Sequence, residues 1–193
     1  MKVCVFGAAS DKIDKSYIDL TCLLGKKFGE KGHTLVFGAG GEGLMGAVAR
    51  GFKESNSEIY GVVPTFFLDD KIEGLYEECT KMITTETMRE RKAIMEDMAD
   101  AFVIVPGGIG TFEEFFEIVT LKQLGRHNKP IAIYNINGYY DHMEKMMLNS
   151  VKEGFVREKC SDLYRYFDDA DSLIDFIEND KGCDWNLVQL KKN

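Results

Sequence analysis

Short apolar runs recur along this chain, and each is followed by a stretch whose apolar residues return every three or four positions. The runs Lys2–Phe6, Thr34–Phe37, Ile59–Val63, Ala101–Val105 and Pro130–Tyr134 are apolar through their interiors. A strand covered on both faces reads this way, because neither side of its pleat meets water. Lys81–Thr84 and Leu163–Phe167 are weaker candidates of the same kind. The intervening pattern predicts helices over Lys15–Lys31, Leu44–Ser55, Thr87–Met98, Phe112–Leu124, Tyr139–Glu153 and Ala170–Glu178. The first of these carries the stripe Tyr17, Leu20, Leu24 and Phe28, and Gly32 is its expected stop.

Strand and helix signals alternating in this order predict an α/β fold: a doubly wound parallel sheet with helices on both faces, in three layers. No linker, repeat or low-complexity segment interrupts the alternation. A single domain over 1–180 is expected, with 181–193, polar apart from residues such as Trp185, as a C-terminal surface extension. In such sheets ligands bind beyond the carboxyl ends of the strands. Three turns of small residues fall there: GAAS after the first strand, GAGGEGLMG after the second and PGGIGT after the Ala101 strand.

GAGGEG satisfies G-x-G-x-x-G at Gly38, Gly40 and Gly43. A dinucleotide fingerprint belongs after the first strand, with an acid closing the next. This one follows the second strand, and Glu58 precedes the third, so a dinucleotide site is not expected. No Gly-Lys-Ser/Thr follows, so it is not a P-loop. Glycines still let backbone approach a ligand closely. Helices beginning just after GAGGEG and PGGIGT then point free N–H groups and a positive dipole end outward. Two such ends at one sheet edge suit a phosphate; tight turns alone are the plainer alternative.

Two charged residues stand out. In the stretch TETMRERKAIMEDMA, Met88, Ile94, Met95 and Met98 form one apolar stripe, and Arg91 falls within it, whereas Arg89, Lys92 and Glu96 point away. An arginine on an apolar face needs a carboxylate or phosphate partner, or must snorkel to solvent. Glu114 stands three residues after Thr111, the spacing of a capping box in which Thr111 is the N-cap and Glu114 folds back on its own helix. Phe112, Phe115, Phe116 and Val119 form a packing stripe with Glu114 nearly opposite, beside Ile118 and Leu121. A helix apolar on two sides is sandwiched or forms an interface.

The composition narrows the chemistry. The chain is 45% apolar and 29% charged, as in ordinary soluble proteins. Its net charge of −8 speaks against nucleic acid and anionic membranes as partners. No run approaches the length of a membrane span. The opening MKVCVFGAAS lacks the apolar core and cleavage site of a signal peptide, so a cytoplasmic location is expected. Cys4, Cys22, Cys79, Cys160 and Cys183 are scattered without CxxC spacing, and His33, His127 and His142 show no ligand spacing, so neither a metal nor a redox pair is expected.

Taken together, these segments resemble a known family. PGGIGTFEE is similar to the PGGxGTxxE signature of the Lonely Guy family, the cytokinin-riboside 5′-monophosphate phosphoribohydrolases, many of which were once labelled lysine decarboxylases. VFGAAS resembles its opening VFCGSS, VFGAGGEGLMGAVA its YGGGxxGLMG loop, MRERKAIM its MxxRK segment, and QLGRHNKPIAIYNINGYYDHM its QLGxHxKP…NxxGYY run. The resemblance implies a Rossmann-like fold and a homodimer with the active site near the subunit interface. It implies hydrolysis of a purine nucleoside 5′-monophosphate, cytokinin-type or adenosine, to free base and ribose 5-phosphate, with no cofactor. By match to the motifs, Arg91 and Glu114 are the catalytic pair. Ser10, Gly40, Gly41, Met88, Lys92, Gly107, Gly108, Ile109, Gly110, Thr111, Glu113 and Thr120 fall on substrate-binding positions. The family's CGSS reads Gly7-Ala8-Ala9-Ser10 here and keeps only the last serine. The proton for the departing base is unassigned among Glu113, an acid of the second subunit and water. A lysine decarboxylase would need pyridoxal phosphate and a Schiff-base lysine, for which no sequence context exists. A non-catalytic nucleotide or molybdenum-cofactor carrier of similar fold is the alternative.

Overall fold

The computed structural model describes residues 1–69 and 74–183. Its elements run β1 (Lys2–Phe6), α1 (Lys15–Glu30), β2 (Thr34–Phe37), α2 (Gly43–Glu54), β3 (Ile59–Pro64), α3 (Thr65–Asp69), β4 (Lys81–Thr85), α4 (Met88–Met98), β5 (Ala101–Ile104), α5 (Ile109–Gln123), β6 (Ile131–Tyr134), α6 (Asp141–Lys152), β7 (Arg165–Phe167) and α7 (Ala170–Asn179). Short 3-10 turns over Ile136–Gly138 and Glu158–Leu163 flank α6. The expected extension lies outside the described residues from 184 onward, Trp185 included.

The seven strands form one parallel sheet in the order β4-β3-β2-β1-β5-β6-β7. The chain builds outward from β1 in one direction, then returns to its other side and builds outward again. This Rossmann-like, doubly wound topology opens a crevice between the carboxyl ends of β1 and β5. Alternate residues of the strands feed two separate cores. Val3, Val5, Leu35, Phe37 and Val103 pack with Leu24, Phe28, Phe52, Leu173 and Ile177 from α1, α2 and α7. Cys4, Phe6, Val36, Phe102 and Ile133 pack with Met95, Phe115, Ile118 and Met143 from α4, α5 and α6. Covering both faces explains why the strands read as continuous apolar runs.

α1 and α2 touch through glycine. A β-carbon on Gly25 would lie 2.3 Å from Val48 O, and one on Gly51 would lie 2.1 Å from Cys22 O. This approach brings the start of α2 under the loop after β1, where Leu44 N–H and Met45 N–H both donate to Ala8 O, at 2.8 and 3.3 Å. The N–H groups expected to face a ligand are therefore used within the protein.

The other expected elements end within about two residues of their predicted bounds, but α5 does not, and α3 was not among those expected. It begins at Ile109, three residues ahead of Phe112, with Gly108 as N-cap in extended backbone (φ −94, ψ −152). Thr111 lies inside the first turn and is buried. The capping-box reading of Thr111 and Glu114 is thus overturned: the chain enters the helix through glycine and leaves the Glu114 side chain free for another partner. The packing stripe shifts as well. Phe115, Ile118 and Val119 are buried, while Phe116 faces outward.

Candidate active site

At the crevice between β1 and β5 lies a cleft of about 390 Å³. It is lined by Gly7, Ala8, Ala9 and Ser10 from the loop after β1, by Gly108, Gly110 and Thr111 at the start of α5, and by Met45, Phe67 and Met88; Arg91 and Glu114 line it together. The loops after β1 and β5 are joined at its base, where Ala8 N–H donates to Pro106 O at 3.0 Å.

Arg91 is almost fully buried, at 6% exposure. Thr87 starts α4 by accepting the N–H of Glu90 on its hydroxyl, 3.2 Å. That start directs Arg91 inward beside Met95. Its Nε donates to Val62 O at 3.1 Å and its Nη1 to Glu114 Oε1 at 3.2 Å. The arginine that interrupts the apolar stripe therefore has both partners its burial demands: a strand-end carbonyl and a carboxylate. Burial pushes the Glu114 carboxyl up to about 7, overcoming the opposing pull of Arg91. At neutral pH this group stands near the midpoint between acid and base, which suits proton chemistry.

The start of α5 faces the same cleft. Its first intrahelical bond runs from Phe112 N–H to Gly108 O, 3.0 Å, so the N–H groups before it have no partner within the helix. They and the helix dipole make this wall attractive to an anion. Gly107 is required there for close packing: a β-carbon on it would lie 2.1 Å from Thr111 Oγ1.

Of the expected site residues, the cleft gathers Ser10, Met88, Arg91, Gly108, Gly110, Thr111 and Glu114. Others lie outside its lining. Gly40 and Gly41 are occupied with residues 74 and 75: Gly40 bridges Leu75, and Gly41 N–H donates to Gly74 O at 2.7 Å. With Leu44 and Met45 N–H also taken, the second glycine loop supports the site from behind and does not form a second anion-binding helix end. Gly107 is buried beneath the turn, and Ile109 is 88% exposed on the outer side of α5. Lys92 reaches across from α4 to pair with Glu113 and with Glu117, the latter at 2.5 Å. The Thr120 hydroxyl donates back to Phe116 O at 2.7 Å, two turns further along α5. Met45 and Phe67 are lining residues that the sequence reading did not name. Met45 sits in the GLMG segment, where it could have been found; Phe67 is on the short α3, which gives no periodic signal.

No helix among the described residues is long and apolar enough to cross a membrane. Among the described residues there is also no cluster of His, Cys, Asp and Glu suited to a metal ion.

Comparison with known proteins shows the family and the fold. The model of the family described as "Possible lysine decarboxylase" matches residues 45–177. The cytokinin riboside 5′-monophosphate phosphoribohydrolase LOG2 of Arabidopsis thaliana is 34% identical over 177 residues, covering 92% of this chain and 82% of the relative. The cytokinin riboside 5′-monophosphate phosphoribohydrolase LOG of Oryza sativa subsp. japonica is 37% identical over 157 residues, covering 81% of this chain and 64% of the relative. Among solved structures, the target TM1055 superposes with a TM-score of 0.70 at 18% identity, covering 93% of this chain and 99% of that one. The molybdenum cofactor carrier protein of Chlamydomonas reinhardtii superposes with a TM-score of 0.68 at 19% identity, covering 92% and 95%. Likeness at that identity speaks to fold alone. Through the family model and the plant relatives, the chain belongs to the Lonely Guy family that its motifs resemble.

Proposed function

We propose that this protein is a nucleoside 5′-monophosphate phosphoribohydrolase, cleaving the N-glycosidic bond of a purine nucleotide, adenosine or cytokinin-type, to free base and ribose 5-phosphate. The observation that carries the reading is the Arg91–Glu114 pair, buried in the same cleft that the N-terminus of α5 faces. A nucleotide has the matching layout: a dianionic phosphate, a ribose one bond away and an apolar base beyond.

The 5′-phosphate sits against the N–H groups of Gly108, Ile109, Gly110 and Thr111, and its binding holds the ribose in place. The base extends toward Met45, Phe67 and Met88. Breaking the bond from C1′ to the base nitrogen leaves an oxocarbenium-like ribose. Glu114, as carboxylate, stabilises that positive charge and takes a proton from the attacking water. The water oxygen bonds to C1′, and the base leaves with the bonding electron pair and gains a proton. Arg91 orients Glu114 through Nη1. Ser10, in the cleft's lining, meets the substrate's periphery, while the Lys92–Glu113 ion pair and Thr120 lie outside that lining. The chain uses no cofactor for this chemistry.

Residues 1–180 act as one domain, and two copies pair with the site near their interface. α5 supplies apolar surface for such pairing, leaving Ile109, Phe116 and Leu124 exposed. The free thiols of Cys4, Cys22, Cys79 and Cys160 are consistent with a reducing, cytoplasmic setting. The test is incubation of the purified protein with AMP and with isopentenyladenosine 5′-monophosphate, followed by chromatography. Release of free base from either supports the reading; intact nucleotide in both overturns it in favour of a nucleotide carrier.

A further inference from the structure

Three successive carbonyls before α5 are each held by a donor. Val105 O accepts the Tyr140 hydroxyl at 2.8 Å, Pro106 O accepts Ala8 N–H at 3.0 Å, and Gly107 O accepts the Tyr139 hydroxyl at 2.7 Å. The first two lie in the core and at the sheet edge, where packing already fixes the backbone. The third is different. Gly107 and Gly108 flank the peptide that carries this carbonyl, and a β-carbon on Gly108 would meet nothing within 4 Å. A peptide between two glycines has no β-carbon on either side to fix its rotation. In a trans peptide the C=O and N–H point in opposite directions, and no peptide bond among the described residues is cis. A hydroxyl holding Gly107 O on one side therefore turns the Gly108 N–H to the other, toward the cleft that Gly108 lines.

Tyr139 is placed for this independently of its hydroxyl. The turn after β6 runs through Asn137 and Gly138 at φ 54 and 71. Asn135 Oδ1 accepts Tyr140 N–H at 2.7 Å, and Asn137 Nδ2 donates to Ser16 Oγ at 2.8 Å. The Tyr139 ring meets Tyr17 and Tyr140 edge-on, with centroids 6.2 and 4.9 Å apart. Ring contacts set where the side chain lies; the hydroxyl serves the Gly107 carbonyl.

We propose that Tyr139 is a positioning residue for the reaction: its hydroxyl locks the Gly107–Gly108 peptide so that the Gly108 N–H is presented to the substrate's phosphate. This rests on the phosphate-binding reading of the cleft given above. The substitution Tyr139→Phe keeps the ring and its contacts and removes only the lock. KM for AMP, and the inhibition constant for inorganic phosphate, should each rise by about fivefold or more, the worth of one neutral hydrogen bond. Any fall in kcat should be smaller than the rise in KM, because the phosphate still binds, and the melting temperature should stay within about 2 °C, since the lost bond is part-exposed. Unchanged KM and phosphate inhibition would overturn the assignment, as would a fall in kcat and melting temperature at constant KM. Calorimetry of inorganic phosphate binding to both proteins separates this proposal from the reaction itself. If wild-type protein binds phosphate more tightly than the Tyr139→Phe variant, the lock stands even where no base is released from AMP; equal affinity removes it.

Discussion

A β-carbon added to Gly38 would fall 1.7 Å from Nη2 of Arg91. The glycine at the end of β2 is the space that the arginine's guanidinium fills. The same guanidinium reaches Val62 O and Glu114 Oε1 from that position, so the geometry of the ion pair depends on a residue outside the cleft's lining.

The substitution Gly38→Ala should therefore act on catalysis before it acts on folding. The obstructed atom is the far end of a flexible side chain, which can swing away without moving the backbone. Swinging away breaks the bonds to Val62 and Glu114. A drop in kcat/KM for AMP of at least about tenfold is expected, since misplacing an orienting group of this kind has costs of that order. Chemical denaturation should show a smaller effect, about 1–2 kcal/mol, from leaving the Val62 carbonyl and a buried guanidinium less well paired. Activity within twofold of wild type would show that Arg91 has room elsewhere in the cleft.

Glu114→Gln should lower kcat by roughly a hundredfold to ten-thousandfold, the range for a lost catalytic carboxylate, while AMP still binds. Its pH behaviour is the sharper test. Burial raises the carboxyl from an ordinary 4.5 to about 7. If the carboxylate form does the work, wild-type kcat/KM should climb with pH and level off above about 7. Stability should move in the opposite direction. A carboxyl with a raised folded-state pKa holds its proton more tightly when folded than when unfolded. Wild-type protein thus loses stability between about pH 4.5 and 7 through this group. Glutamine cannot titrate, so the variant should gain on wild type across that window by an amount on the order of 2 kcal/mol, and no further above it. Glu96, also pushed up to about 7 by burial and by Glu117, has the same sign in both proteins and cancels from the difference. Parallel denaturation curves at pH 5 and pH 8 would contradict the raised value.

How much of this was legible in the sequence depends on the kind of signal each residue carries. Strands buried on both faces announce themselves as apolar runs, and all seven were found. Arg91 was legible because a charge inside the stripe of Met88, Ile94, Met95 and Met98 has to be answered by a partner. The partner came from the motif resemblance and not from periodicity, since Glu114 carries the spacing of a capping box and periodicity does not say which way a side chain at a helix start turns. The start of α5 was misplaced for the same reason: Thr111 is a better N-cap by propensity than Gly108, but the Gly107–Gly108 backbone enters the helix earlier and packs Thr111 inside. The second glycine loop looked like a second anion site because a helix follows it. Only the fold shows that the Ala8 carbonyl has already taken the N–H groups of Leu44 and Met45.

Tyr140 offers a contrast with its neighbour Tyr139. It is buried at 1% exposure, and its hydroxyl is the donor for Val105 O. Tyr140→Phe leaves that carbonyl unpaired in the core, which costs about 1–3 kcal/mol. For a chain of this length the melting temperature should fall by roughly 2–10 °C. Thermal unfolding checks it, and because β5 and the start of α5 remain anchored through Ala8 and Tyr139, the KM for AMP should change less than in Tyr139→Phe. A KM shift larger than that of the Tyr139 variant would reverse the roles assigned to the two tyrosines.

The last prediction concerns which part of the substrate is recognised. With α2 withdrawn, α5 lines the cleft with its N-terminus, through Gly108, Gly110 and Thr111, and its glycines leave the N–H groups accessible. The rest of the cleft's lining is apolar apart from Ser10 and the Arg91–Glu114 pair, which the proposed mechanism sets at the ribose. Removing the 5′-phosphate therefore removes most of the polar binding while leaving the reacting bond untouched. Binding energy from a remote, non-reacting group of this kind is used to position the reacting centre, so its loss lowers kcat as well as raising KM. Adenosine should be cleaved with a kcat/KM at least about a thousandfold below that of AMP, corresponding to about 4 kcal/mol of phosphate interaction. Side-by-side rates with AMP, adenosine, and adenosine plus inorganic phosphate measure it. Partial recovery in the third reaction would place the phosphate at the α5 end of the cleft, since a free anion there would restore the charge complement without the tether. Equal rates for adenosine and AMP would mean that α5 serves the fold alone and that Arg91 and Glu114 recognise the ribose without help from a bound phosphate.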